Sequence, residues 1–162
     1  MLLYIVRHAW AEVRDVERFP DDDLRPLTGD GKKRFGRMMA RLTVGGFRPT
    51  RIATSPLIRC RQTAELIVNH LSDPAQLVEL DELRPGAELK QLIDWSAGQT
   101  DEAIAWVGHA PDVSELTAAL VGDCTATIRF AKGAVAAIEF DREIAQGKGE
   151  LNWLVTAKVL GV

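Results

Sequence analysis

A continuous apolar run, Leu2-Leu3-Tyr4-Ile5-Val6, stops abruptly at Arg7-His8. Successive strand residues face opposite sides of a sheet, so a run that is apolar at every position requires cover on both faces. Three later runs end at polar or turn residues in the same way: Arg51 to Thr54 before Ser55-Pro56, Leu77 to Leu80 before Asp81-Glu82, and Ala103 to Val107 before Gly108-His109. Ala134 to Phe140 and Leu151 to Thr156, separated by a polar, Gly-containing turn, predict two further strands that pair as an antiparallel edge.

Helical patterns fill the intervals. Thr28 caps a stretch in which Phe35, Met38, Met39 and Leu42 recur on one face. Ser55-Pro56 reads as N-cap and first helical position of a helix continued by Ala64, Ile67, Val68 and Leu71. Leu89 to Trp95 predicts a shorter helix, and Pro111 with Asp112 and Glu115 resembles a capping box opening a helix through Val121 that ends at Gly122. This alternation predicts an α/β fold: a three-layer α/β/α sandwich around a mainly parallel sheet with an antiparallel edge strand. With 162 residues, no internal repeat and no Ser/Pro-rich linker, residues 1–162 are expected to form a single domain. Asp21-Asp22-Asp23 reads as a solvated loop.

Composition removes several function classes. The formal charge of -3 leaves no general basic field for nucleic acid. The opening apolar run is far shorter than a membrane span and lacks the basic start and cleavage site of a signal peptide, so the expectation is a cytoplasmic chain with no membrane partner. Cys60 and Cys124 have no C-x-x-C or zinc-ligand spacing and are expected to be reduced thiols. The three histidines, His8, His70 and His109, show no metal-ligand spacing, and His70 reads as a partner for the end of its helix.

Ligands of open α/β sheets bind beyond the carboxyl ends of the strands. Arg7 and His8, Ser55 and Arg59, Glu82, and His109 stand at four successive strand ends. Taken singly, each has an ordinary reading: an exposed helix charge, a packed or capping histidine, a turn ion pair worth little. Together they suit phosphoryl transfer through histidine. Arg7 and Arg59 offer planar, permanently charged donors to phosphate oxygens. His8 must be neutral to attack phosphorus; the arginines are expected to depress its pKa, and a backbone carbonyl would fix its tautomer. Glu82 could protonate the leaving group and then deprotonate the attacking water. His109 is placed to hydrogen-bond the transferred oxygens. No cofactor or metal is called for, because the arginines supply the positive charge.

Other phosphate chemistries fit worse. A cysteine phosphatase needs C-x-x-x-x-x-R, which Cys60 lacks and Cys124 misses by one residue, with Arg129 arriving too soon. An aspartate phosphatase needs D-x-D after a buried strand, whereas Asp21 and Asp23 follow Arg18-Phe19-Pro20. Dinucleotide binding would require G-x-G-x-x-G after the first strand.

These residues resemble the histidine phosphatase superfamily, which includes phosphoglycerate mutases and acid phosphatases. Val6-Arg7-His8-Ala9 resembles its R-H-G/A opening, Leu27-Thr28-Gly29-Asp30-Gly31 its L-T-x-x-G segment, and Ser55 to Ala64 its S-P-x-x-R-x-x-Q-T-A helix start. Leu80-Asp81-Glu82 is similar to its acid segment and Val107-Gly108-His109 to its second histidine. Arg25-Pro26-Leu27-Thr28, Gly108-His109-Ala110-Pro111 and Phe130 to Val135 further resemble the short SixA-type phosphohistidine phosphatases. The resemblance implies His8 as the phosphorylated nucleophile, Arg7, Arg59 and His109 as phosphate binders, and Glu82 as proton donor. The segments joining Arg59, Glu82 and His109 are too short for the helical lid of the longer mutases, which implies an open site. The implied partner is a phosphorylated protein, such as a histidine-containing phosphotransfer domain; a small phosphoester and a non-catalytic phosphoprotein-binding role remain the alternatives.

Overall fold

The computed structural model describes residues Met1–Val162. Six strands form one sheet: β1 (Leu2–Arg7), β2 (Arg51–Thr54), β3 (Gln76–Glu79), β4 (Ala103–Gly108), β5 (Val135–Glu139) and β6 (Glu150–Val155), in the order β3-β2-β4-β1-β5-β6. β3, β2, β4 and β1 run parallel. β5 pairs antiparallel with β1 and β6 antiparallel with β5, so the antiparallel edge comprises two strands.

Alternation of side chains sorts the core into two layers. Tyr4, Val6, Ile52, Ala105, Val107 and Ala137 face α1 (Gly29–Val44) and α2 (Ile58–Val68), whose Phe35, Met38, Met39, Ala64 and Ile67 cover them. Leu3, Ile5, Ala53, Ile104, Trp106 and Ile138 face the opposite way, under Leu92 of α3 (Leu89–Ala97) and Val113, Leu116 and Leu120 of α4 (Asp112–Val121). Leu3, Ile5, Val6, Ile104 and Val107 are wholly buried. Burial of a Leu or Ile side chain contributes ~1.5 to 3 kcal/mol, so the two central strands anchor the sheet.

Helix starts departed from expectation where a side chain had other work. Thr28 does cap α1, its hydroxyl accepting from the Gly31 amide at 2.9 Å. A Cβ at Gly31 would collide with the Trp10 carbonyl oxygen, which explains the glycine that ends the L-T-x-x-G segment. Ser55, however, is not the cap of α2: the helix begins at Ile58, after Leu57, and the Ser55 hydroxyl bonds His109 and accepts only a long 3.5 Å contact from the Leu57 amide. The capping box of α4 does not form either. Asp112 lies inside the helix and accepts from the Gly86 amide at 3.1 Å. The helix does end at Gly122, whose φ of 101° is left-handed.

After His8 the chain makes an excursion that closes where Ala11 bridges Leu27. Within it, Asp22–Leu24 forms a 3-10 turn, with Asp21 accepting from the Asp23 amide. A second 3-10 turn, Asp81–Leu83, follows β3 and packs against β4. Between Arg59 and Glu82 the chain holds only the rest of α2, β3 and this turn, and between Glu82 and His109 only α3 and β4.

Candidate active site

The central strands end side by side because β1 and β4 pair in register from Leu2↔Ala103 to Arg7↔Gly108. The His8 amide then donates to the Gly108 carbonyl at 3.0 Å, which sets His8 and His109 next to each other. Their ring centroids are 5.4 Å apart. Both rings are buried, at 8% and 4% exposure.

His8 Nδ1 lies 2.8 Å from the Ala9 carbonyl oxygen. A carbonyl only accepts, so Nδ1 carries the proton and Nε2 of the neutral ring keeps its lone pair. Burial drives the His8 pKa down from 6.5 to about 3, with the Ala9 hydrogen bond opposing and His109, Arg59 and Arg7 adding to the fall. Desolvation therefore outranks the arginines as the cause, a correction to the expectation from charge alone. His109 is likewise lowered to about 4, by burial first and Arg59 next, with Asp22 opposing. Both imidazoles are neutral at pH 7.

His109 Nε2 shares a 2.9 Å hydrogen bond with Ser55 Oγ, and Cys60 Sγ approaches the same nitrogen at 3.4 Å. Ser55 is held by its amide, which donates to the Val107 carbonyl at 3.0 Å.

Arg59, in the first turn of α2, is 4% exposed. Its Nη1 donates to the Asp22 carbonyl at 2.8 Å and stands 3.2 Å from the Asp22 carboxylate. Arg7 Nη1 donates to the Phe130 carbonyl at 2.7 Å. Burial lowers the pKa of both guanidinium groups, which nevertheless remain charged. The Nε of each is buried without a hydrogen-bond partner in the protein. A buried unsatisfied guanidinium N-H costs free energy, more so because the group is charged. Two such groups beside an uncharged imidazole form a site suited to an anion rich in acceptor oxygens.

The loop after His8 is tied to α2 by one threonine. Thr63 Oγ1 accepts from the Ala9 amide at 3.0 Å and donates to the Arg59 carbonyl at 2.7 Å. Arg7, His8, Arg59 and His109 are thus brought together. Glu82 is not joined to them: it lies exposed on the 3-10 turn and makes no hydrogen bond or ion pair within the protein. His70 Nδ1 meets the Leu66 carbonyl at 2.7 Å near the end of α2, the partner expected for a helix end.

Sequence reasoning missed Asp22 and Arg25. Asp22 accepts from Arg25 Nε and Nη2 at 2.8 and 3.2 Å while it faces Arg59, so it is no solvated bystander. Arg25, first among the causes, holds its carboxyl below the usual range. Asp23 is also engaged, with Arg84 at 2.6 Å. The Arg25-Pro26-Leu27-Thr28 segment was the available signal, since it matched a motif with no role given to its arginine.

The chain is similar to known proteins over most of its length. The phosphohistidine phosphatase SixA of Escherichia coli is 30% identical over 157 residues, 94% of this chain and 92% of that one. A protein of Picosynechococcus sp. is 37% identical over 124 residues, 74% and 73% of the two chains. The solved structure of the protein histidine phosphatase SixA complexed with tungstate superposes with a TM-score of 0.85 at 26% identity, covering 99% of each chain. An alpha-ribazole phosphatase of Shigella flexneri, at 17% identity and a TM-score of 0.71 over 97% of each chain, shares the fold. The model of the histidine phosphatase superfamily (branch 1) matches residues 3–148, nearly the whole chain, and the chain belongs to that superfamily.

Proposed function

We propose that residues 1–162 act as a single metal-independent phosphatase domain that works in the cytoplasm through a covalent phosphohistidine at His8, with phosphohistidine on a partner protein as its preferred substrate. The observation that carries this reading is the fixed tautomer of a neutral, buried His8 between two arginines with unpaired Nε groups. That a SixA structure similar over 99% of this chain is complexed with tungstate, a tetrahedral oxyanion, supports a fold that takes a phosphoryl group.

In the first step Nε2 of His8 attacks phosphorus, the P–N bond to the substrate imidazole breaks, and the departing nitrogen takes a proton from Glu82. In the second, water attacks the phosphoryl group on Nε2 and loses its proton to Glu82, releasing inorganic phosphate and restoring His8. Arg7, Arg59 and His109 hold the oxygens through both steps, in place before charge shifts. The guanidinium groups do what a divalent cation does in other phosphoryl-transfer sites. The shortness of the segments joining Arg59, Glu82 and His109, which hold only β3, a 3-10 turn, α3 and β4 besides the rest of α2, supports a substrate carried on another folded protein rather than an enclosed small ester.

The test compares kcat/KM on a phosphorylated histidine-containing phosphotransfer domain with kcat/KM on a panel of sugar and nucleotide phosphates. The proposal requires the phosphoprotein to lead. A single small ester turned over more efficiently overturns the substrate assignment, and phosphate binding in calorimetry without release of product overturns catalysis itself.

A further inference from the structure

A second feature lies beside the phosphate pocket. A groove of about 420 Å³ is lined by Trp10, Arg34, Arg129, Lys132 and Lys158 with a few small residues, and no carboxylate lines it. The chain as a whole carries a charge of -3, so four cations around one groove are a local excess. None of the four pairs with an acidic side chain; every side-chain ion pair of the protein lies elsewhere. Like charges gathered without a counter-charge repel, and an incoming acidic group relieves that repulsion.

The groove has a rigid floor and exposed walls. Arg34 lies over the Trp10 ring at 4.4 Å and donates to the Val162 backbone oxygen at 3.0 and 3.2 Å, so it is fixed. Arg129, Lys132 and Lys158 are exposed and unpaired. The walls are continuous with the candidate active site. Arg129 adjoins Phe130, whose carbonyl accepts from Arg7, and Lys132 adjoins Gly133, whose amide donates to the His8 carbonyl at 3.1 Å. Gly133, with φ of 72°, has the Trp10 ring against it: a Cβ there would stand 3.1 Å from Trp10 Cζ3. Trp10 itself follows His8 by two residues.

We propose that this groove docks an acidic segment flanking the phosphorylated side chain of the partner protein, a proposal that rests on the protein-substrate reading above. Carboxylates of the partner would face Arg129, Lys132 and Lys158 while its phosphoryl group reaches His8. A second groove, on α1 and α2, also gathers unpaired cations, Lys32, Lys33 and Arg37, but only the groove at Trp10 is walled by residues that adjoin Phe130 and Gly133 beside Arg7 and His8, and on a chain of net negative charge it suits a short acidic polypeptide segment.

The experiment uses two peptides of equal length, each with one phosphohistidine, flanked in one by glutamates and in the other by glutamines, with phenyl phosphate as reference. The wild-type protein should favour the glutamate peptide by about tenfold in kcat/KM, and the preference should shrink as salt is raised. Lys132→Glu/Lys158→Glu should abolish the preference, and Lys132→Gln/Lys158→Gln should reduce it, while turnover of phenyl phosphate stays at the wild-type rate and reports an intact fold. Equal turnover of the two peptides by the wild type overturns the groove alone. An equal loss on phenyl phosphate in the glutamate variant also overturns it, because the lysines would then act through the pocket. Turnover of phenyl phosphate with neither peptide processed overturns the protein-substrate reading, and the groove's role falls with it.

Discussion

His8 and Glu82 follow two strands of the same sheet, and the protein treats them in opposite ways. His8 is buried, fixed in one tautomer by Ala9, and braced through Ala9 and Thr63 to the helix that carries Arg59. Glu82 stands in solvent on a short turn with nothing holding its carboxylate. The difference separates two demands of phosphoryl transfer. Attack on phosphorus and oxygen binding depend on preset geometry and exclusion of water, which central strand ends supply. Protonating a leaving group depends on the leaving group, and a phosphorylated imidazole accepts a proton readily.

If that division is right, substitutions at the buried end cost far more than those at the exposed end. His8→Gln should lower kcat/KM by about 10⁴-fold or more on every substrate, as loss of a nucleophile does in other covalent enzymes. It should also change the pH dependence of stability. The native ring titrates at about 3 against 6.5 for an unperturbed histidine, so below pH 6.5 the unfolded chain takes up the proton first. Wild-type stability therefore falls as pH drops from 6.5 toward 3, by up to ~1.4 kcal/mol per pH unit from this residue. Urea midpoints of His8→Gln between pH 6.5 and 4.5 should be flatter than wild type.

Arg59→Lys keeps a charge but loses the planar donor pair, and should cost about 10² to 10³ in kcat with the fold intact by circular dichroism. Glu82→Gln marks the other side of the division: under about tenfold on a phosphohistidine peptide, but about 10² on an alkyl phosphate, whose alkoxide needs the proton. Equal losses on both substrates would place Glu82 in the shared second step, as base for the attacking water, rather than at the leaving group. The smallest effect is expected at Asp22→Asn. Asp22 raises the pKa of His109, so its neutralisation should lower that value further, read from the imidazole resonances in an NMR titration.

The same contrast explains what could be read from sequence. Strand ends were legible because a strand covered on both faces is apolar at every position, so Val6-Arg7-His8 announces its own boundary. The start of α2 was not, since the Ser55 hydroxyl that suggests a cap makes its shorter bond to His109, 54 residues away in sequence, and meets the Leu57 amide only at 3.5 Å. Asp22 escaped notice for a similar reason: its partner Arg59 is 37 positions distant, and an isolated Asp-Asp-Asp run carries only the signature of a solvated loop. The depressed pKa of His8 was anticipated, but its leading cause was not. Charge can be counted along a chain, whereas burial of a particular ring depends on how β1, β4 and β5 close around it.

The tautomer of His8 gives the sharpest consequence. Because Nδ1 donates to Ala9, only Nε2 is available to phosphorus. Quenching the protein in alkali during turnover of a phosphohistidine substrate, then mapping the modified peptide and recording its phosphorus NMR spectrum, should find an acid-labile phosphoryl group on Nε2 of His8. A phosphoryl group on Nδ1, or on any other residue, would contradict the mechanism.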